Sequence, residues 1–236
     1  MTYLNDAALS GVSPAAFREA EPYPWVNPAA VLHPDAFERL RQELPDKSLF
    51  TTRFGIRRRH GQQPHDRYTL EYHRGSKVTP TWHEFIDELQ SSAYREWIAD
   101  LFGIRRFFLT FHWHYTPTGC AVSPHCDAPR KLGSHIFYFN TEEDWDPAWG
   151  GETLLLDDDG RLDLRSAPDF DAFERAVRPN ALGNHSLLFG RRGNSWHGVR
   201  PLTSPPDRLR KVFIVVINRL TPHAFAKRWV ARWRTG

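Results

Sequence analysis

Ser123-Pro124-His125-Cys126-Asp127 is the stretch of this chain whose residue types and spacing point most directly to chemistry. In an extended strand, residues two apart project to the same side, so the His125 imidazole and the Asp127 carboxylate can reach one metal ion. A third ligand must come from elsewhere. His197, in Trp196-His197-Gly198, is the best placed, because it follows the apolar run Ser186 to Phe189 and precedes another from Val212 to Ile217. Two histidines and one carboxylate on one face, with other positions left open, make up the ligand set of a non-heme Fe(II) centre. Taken alone, a His-x-Asp pair is more often a hydrogen-bonded pair than a metal site, so the surrounding elements must decide.

Those elements come from 236 residues, enough for one β-barrel or sandwich with added helices and a sizeable core. Apolar residues make up 40% and aromatics 14%, with nine Trp, which excludes a disordered chain. The 31 basic and 28 acidic residues are spread along the sequence and leave a net charge of +3, so the charge balance does not require nucleic acid. Two cysteines, Cys120 and Cys126, make no disulfide framework of the secreted kind and read as reduced thiols. The first 25 residues carry acids and prolines where a secretory signal needs a charged start and an apolar core, and no apolar run reaches membrane-spanning length. A cytoplasmic protein, monomeric or homodimeric, with no membrane partner is expected.

The whole chain, 1–236, reads as a single domain in three parts: an arm and supporting helices over 1–103, a β core over 104–220, and a helical tail over 221–236. Pro14, Pro22, Pro24 and Pro28 are expected to break any regular element in the first 30 residues. His33 to Leu44 has Phe37, Leu40 and Leu44 at helical spacing and ends at Pro45. Pro80 to Leu101 carries an apolar stripe from Trp82 to Leu101, one long helix or two short ones backing a sheet. Between them, residues 51–79 are polar and basic around a short apolar run, Tyr68 to Tyr72. The cluster Arg57-Arg58-Arg59-His60 is read first as a solvated loop beside the site mouth, and otherwise as a contact for an anionic substrate or nucleic acid.

After Gly103 the pattern changes to strands: Arg106 to Tyr115, a strand through His125, His135 to Asn140, Gly150 to Leu156, Ser186 to Phe189 and Val212 to Asn218. Short strands with turns and no regular helix between them predict a mainly β sandwich or barrel with flanking helices, an α+β chain. Gly150-Gly151 reads as a turn requirement, since no helix start follows to cradle a phosphate. Residues 161–183 are expected to contain a short helix, Asp169 to Val177, and to form either a lid or a surface elaboration. In the tail, Trp229 and Trp233 fall on one helical face suited to docking on the domain.

The order of these pieces resembles a known family. Tyr115, Gly119, His125-x-Asp127, the strand Ile136-Phe137-Tyr138-Phe139-Asn140, Trp149-Gly150-Gly151-Glu152, Leu187-Leu188-Phe189-Gly190, His197, and Val199-x-Pro201 before a basic residue opening an apolar strand are similar to the prolyl-4-hydroxylase type of Fe(II)/2-oxoglutarate dioxygenases. The resemblance covers about half the chain and rests on order and spacing together. It implies a double-stranded β-helix (jelly-roll) packed against the N-terminal helices, with His125, Asp127 and His197 as iron ligands. It also implies a basic residue after the second histidine that binds the distal carboxylate of 2-oxoglutarate. The candidates are Arg208, Arg210 and Lys211; Arg210 shares a strand face with Val212 and Ile214 and offers a planar donor fork, so it is preferred, with Arg208 in reserve. Arg210 also reads as a sheet-edge ion-pair partner. Tyr115 matches a family tyrosine that hydrogen-bonds the co-substrate, and reads equally as a core residue.

The implied reaction consumes O2 and 2-oxoglutarate, releases succinate and CO2, and hydroxylates an unactivated C–H bond; the complete triad, with Asp127 present, favours hydroxylation over halogenation. A small molecule, such as an amino acid or a natural-product intermediate, is the expected substrate, and a protein side chain such as prolyl is the second choice. A related nucleic-acid demethylase is disfavoured, since the positions where that group carries an Asn and a second Arg hold Trp113 and Val216. A jelly-roll binding protein without catalysis is the remaining alternative.

Overall fold

The structure, a computed structural model, describes residues 2–220; the tail at 221–236, with its Trp pair, lies outside the described residues. The chain opens with two short helices, α1 (Asp6–Ser10) and α2 (Pro14–Glu19), and an edge strand, β1 (Trp25–Val26). The expectation that prolines break this region is corrected. Pro14 instead begins α2 behind the Ser13 cap, because a first-turn residue needs no N–H donor. Helix α3 (Pro34–Gln42) starts on a proline in the same way.

Residues 51–79 contain more regular structure than their polarity suggests. Strands β2 (Thr51–Arg53) and β3 (Arg67–Glu71) pair with each other, and β3 pairs with the long β4 (Phe107–Pro117). Alternation explains this: Tyr68 and Leu70 pack on the apolar side, while Arg67, Thr69 and Glu71 turn to the opposite face.

The apolar stripe over 80–101 divides into α4 (Pro80–Leu89) and α5 (Ser92–Phe102). Ser91 caps α5 through its side chain, and Gly103 ends it at φ 65°, the left-handed position that favours glycine. The remaining strands are β5 (Val122–Cys126), β6 (Lys131–Tyr138), β7 (Leu154–Asp157), β8 (Arg175–Val177), β9 (Ser186–Gly190), β10 (Trp196–Val199) and β11 (Leu209–Arg219). They form two antiparallel sheets, a seven-stranded one in the order β1-β9-β6-β11-β4-β3-β2 and a four-stranded one in the order β5-β10-β7-β8. This is the expected jelly-roll arrangement with helices on one side.

One expectation fails in the small sheet. Only Phe170 to Ala172 turn helically, and Arg175–Val177 pair with β7 as an edge strand. The reason is an open edge: β7 would otherwise leave backbone N–H and C=O groups unpaired, and Arg175 is further held by ion pairs to Asp157 and Asp159. Phe170 and Phe173 from this segment pack with Leu154, Leu156 and Trp196.

The main core lies between the helices and the outer face of the large sheet. Trp82 sits 5.1 Å from Trp113 and 5.0 Å from Phe213, ring centre to ring centre, and Phe85 meets Phe137 edge-on at 5.6 Å. Phe213 is fully buried at the centre of β11. Phe213→Ala is expected to cost about 3–5 kcal/mol by loss of burial and cavity formation, read as a lower midpoint at unchanged slope in urea.

Beside this core, the fully buried His135 hydrogen-bonds the Tyr94 hydroxyl at 2.8 Å and the Ser186 hydroxyl at 2.9 Å. Burial pushes its pKa down to about 3, and that of His112 to about 4. Unfolded, both bind a proton near pH 6.5; folded, they stay neutral. Their contribution to stability is therefore complete above pH 6.5 and is lost as the pH falls toward the folded values, at up to about 1.4 kcal/mol per group per pH unit. The metal-free protein is expected to lose thermal stability steadily from pH 7 to 5. His135→Asn is expected to flatten that slope, whatever it does to absolute stability.

Candidate metal centre

Strand β5 carries His125 to the mouth of the jelly-roll, and Asp127 follows one residue past its end. Strand β10 pairs antiparallel with β5 so that His197 lies directly opposite His125, the two rings 4.3 Å apart. One donor atom from each of His125, Asp127 and His197 lies within 4.8 Å of the others, and all three side chains are buried. The close pairing depends on Gly198, where a Cβ would come within 2.7 Å of the Val122 carbonyl.

The ligand atoms are set by the backbone. His125 Nδ1 donates to the Ser123 carbonyl at 2.9 Å and His197 Nδ1 to the Ser195 carbonyl at 3.1 Å, which leaves each Nε2 lone pair facing the gap. Burial holds both imidazoles below their ordinary pKa, His125 well below, so both are neutral and able to ligate at neutral pH. Burial acts the other way on Asp127, but the Lys131 ammonium at 2.6 Å outweighs it and keeps the carboxylate ionised.

The triad opens into a cavity of about 300 Å³ whose lining includes Arg210, Thr153, Ile136, Phe189, Val199 and Ile214. Arg210 lies on β11, 6% exposed, and donates through Nε to the Gly151 carbonyl and through Nη2 to Thr153 Oγ1 at 3.1 Å. Its guanidinium sits over the Tyr138 ring, 5.6 Å from the centroid, and no carboxylate lies within ion-pair distance of it among the described residues. Burial lowers its pKa, yet it stays charged. Gly151 adopts φ 108°, and a Cβ there would press on Arg210 Cδ and Trp145 at 3.4 Å. The Gly-Gly pair thus serves the backbone, as expected, and one of its carbonyls anchors the arginine. The Tyr138 hydroxyl, beside Arg210 and Thr153, is buried with no hydrogen-bond partner of good geometry.

The structure brings His125, Asp127, His197 and Arg210 into one cavity and excludes the other candidates. Arg208 is half exposed and faces Asp207 at 3.5 Å, outside the cavity. Lys211 projects to the other face of β11, where its Nζ meets Asp144 at 3.1 Å. Tyr115 is corrected as well: its hydroxyl donates to the Pro45 carbonyl at 2.9 Å and its ring stacks on Phe50 at 4.2 Å, on the core side of β4. Strand alternation gives the reason, since His112 and His114 occupy the cavity face and Trp113 and Tyr115 the opposite one.

Sequence reasoning missed His112, His114, Lys131, Thr153, His65 and Arg67 in the cavity lining, and Tyr138 behind Arg210. Alternation along β4 and β6 carried a signal for His112, His114 and Tyr138; nothing local marked His65, whose ring stands 4.5 Å from that of His125.

No family model matches the chain, and no curated protein matches it. Solved structures do. A Pseudomonas putida prolyl-4-hydroxylase superposes with a TM-score of 0.64 at 15% identity, covering 89% of this chain and 99% of that one. A Trichoplax adhaerens prolyl hydroxylase, solved with a hypoxia inducible factor peptide fragment, gives 0.61 at 16% identity over 89% of each chain. SnoK, a non-heme alpha ketoglutarate dependent carbocyclase from nogalamycin biosynthesis, gives 0.60 at 12% identity over 90% of this chain and 86% of that one. At these identities the likeness is one of fold, which this chain shares with the prolyl hydroxylase and SnoK structures. No helix among the described residues is long and apolar enough to cross a membrane.

Proposed function

We propose that the chain is an Fe(II)- and 2-oxoglutarate-dependent dioxygenase that hydroxylates an unactivated C–H bond of a small molecule. The observation that carries this reading is one cavity holding both a buried His-Asp-His donor set and, separate from it, a buried arginine with no carboxylate partner. The residues fit both groups. Two neutral imidazoles and one carboxylate suit a divalent iron with positions left open, and a buried guanidinium beside the buried Tyr138 hydroxyl and Thr153 suits an incoming carboxylate. Iron bound there would supply O2 activation and C–H oxidation coupled to decarboxylation of 2-oxoglutarate to succinate and CO2.

The protein residues do the rest. Arg210, Thr153 and Tyr138 hold the distal carboxylate of the co-substrate and so fix its 2-oxo end toward the triad. Ile136, Phe189, Val199 and Ile214 keep that region dry, which strengthens each charge-assisted hydrogen bond. Lys131 keeps Asp127 ionised, and the Ser123 and Ser195 carbonyls keep the two rings in the ligating tautomer.

A further basin of about 510 Å³ adjoins the cavity, a volume suited to a metabolite-sized substrate. A protein side chain such as prolyl is the second reading, supported by the fold likeness to prolyl hydroxylases. Calorimetry with a divalent metal present tests the co-substrate assignment: 2-oxoglutarate is expected to bind tightly only with metal, and glutarate, which lacks the oxo group, at least tenfold more weakly. Equal binding of the two acids, with or without metal, would contradict it.

A further inference from the structure

We propose that the substrate of this site is an anion whose carboxylate or phosphate group is held by Arg67 and Arg58 on the β3 flank of the cavity. The inference rests on the dioxygenase reading for the identity of the site, and on a separate set of residues for the charge. The basin beside the triad cavity is lined by Arg53, Arg58, Arg67, Arg130 and Lys131, with Glu71 its one carboxylate. It shares Arg58, Arg67 and Lys131 with the triad cavity, but Arg210 lines only the latter of the two. A ligand group in the basin therefore does not compete with a co-substrate held by Arg210.

Lys131 is paired with Asp127, but Arg53, Arg58 and Arg67 make no ion pair among the described residues. Arg53 and Arg67 stand directly opposite each other across β2 and β3, a placement that like charges disfavour. Arg67 Nε is buried with no partner, and its Nη1 donates only to the His65 carbonyl at 2.9 Å. Arg58 makes a long bond to Gln62 at 3.4 Å. The nearby carboxylates are otherwise engaged or exposed: Asp127 is bound to Lys131, Asp66 accepts from the Gly55 N–H, and Glu71 is exposed on the rim. Burial, then Arg58 and Arg53, push the Arg67 guanidinium down to about 10, and the attraction of Asp66, which acts the other way, does not offset them.

Unpaired buried donors and opposed like charges cost stability, and folds retain such features where a ligand compensates for them. An anionic group between Arg67 and Arg58 would satisfy the orphaned Nε and relieve the repulsion. The rest of the molecule would then extend past His112 and His114 toward the triad, which presents its C–H bond to the open side of the metal.

The test uses full-length protein loaded under argon with Fe(II) and 2-oxoglutarate, so that Arg210 is already occupied. Inorganic phosphate and, separately, benzoate are titrated at constant ionic strength, followed by tryptophan fluorescence and, for phosphate, by iron-induced broadening of its 31P resonance. Saturable binding of one or both is expected, and the tighter of the two identifies the group the substrate carries. Arg67→Met and Arg58→Met are each expected to weaken it at least tenfold while leaving 2-oxoglutarate affinity within threefold. Arg67→Met is further expected to raise the ligand-free Tm by roughly 2–4 °C through relief of repulsion, a gain that loss of a structural arginine would not give. No saturable anion binding by the wild type, equal affinity in the Arg67 and Arg58 variants, or loss confined to Arg210→Met would overturn the proposal. Absence of a 2-oxoglutarate complex, with phosphate still bound through Arg67, would instead remove the dioxygenase reading and leave the anion site standing.

Discussion

Asp127→Ala and His125→Ala are each expected to lower divalent-metal affinity by more than the ~100-fold that loss of an outer-sphere partner costs, and to abolish 2-oxoglutarate turnover. Each would remove one of the three donors gathered there among the described residues, and the two histidines are held in place by the pairing of β5 with β10. The two variants differ in what else they disturb. His125→Ala removes a neutral ring, so it leaves no unpaired charge behind, and it takes the Nδ1–H donor from the Ser123 carbonyl. Asp127→Ala leaves the Lys131 ammonium, about a fifth exposed, without its 2.6 Å partner. Asp127→Asn keeps the shape and a hydrogen-bond acceptor for Lys131 while removing the charge, and it separates loss of metal from loss of fold. Metal content after dialysis against a fixed free Fe(II) concentration reads out all three. Retention of stoichiometric iron by either alanine variant would remove these residues from the metal site.

The second large effect is at Arg210. Arg210→Ala is expected to weaken 2-oxoglutarate binding by about 2–4 kcal/mol, roughly 30- to 1,000-fold, while metal affinity stays near that of the wild type. The size follows from burial: a guanidinium that is 6% exposed and has no carboxylate within ion-pair distance among the described residues makes its full charge-assisted bond to the ligand, and that bond is lost with it. Arg210→Lys is expected to recover only part of the loss, because an ammonium cannot donate to Gly151, Thr153 and a carboxylate in one plane. Calorimetric titration of 2-oxoglutarate into the metal-loaded variants distinguishes these cases. A change in metal affinity equal to the change in 2-oxoglutarate affinity would mean that Arg210 supports the fold around the triad and does not hold the co-substrate.

The grouping of His125, Asp127, His197 and Arg210 was legible in the sequence because each lies in a strand or, for Asp127, directly after one. His125 and Asp127 share a face by their spacing of two, and Arg210 shares one with Ile214 on β11. The same rule, applied to β4, places His112 and His114 together and Tyr115 on the core side, the reading that stands beside the family match at Tyr115 in the sequence. Tyr138 is the tyrosine that reaches Arg210, from the neighbouring β6, and only the pairing of β6 with β11 reveals this.

Other parts were hidden for a different reason. Strands β2, β3 and β8 are short, polar on one face and lie at or near sheet edges, so their stability comes from pairing with β4 and β7 and not from their own composition. Their contribution to the site, above all Arg67, is a tertiary fact. The helices were easier, since the stripe from Trp82 to Leu101 marks its buried face whether it is one helix or two.

The most direct test of the dioxygenase reading is an anaerobic titration of the metal-free protein with Fe(II) and 2-oxoglutarate, followed by visible absorbance. A weak charge-transfer band that saturates at one equivalent of each, is absent in His125→Ala and needs far more 2-oxoglutarate in Arg210→Ala is the expected result. Iron bound at one equivalent with no band at any 2-oxoglutarate concentration would contradict it and leave a jelly-roll metal-binding protein without this chemistry.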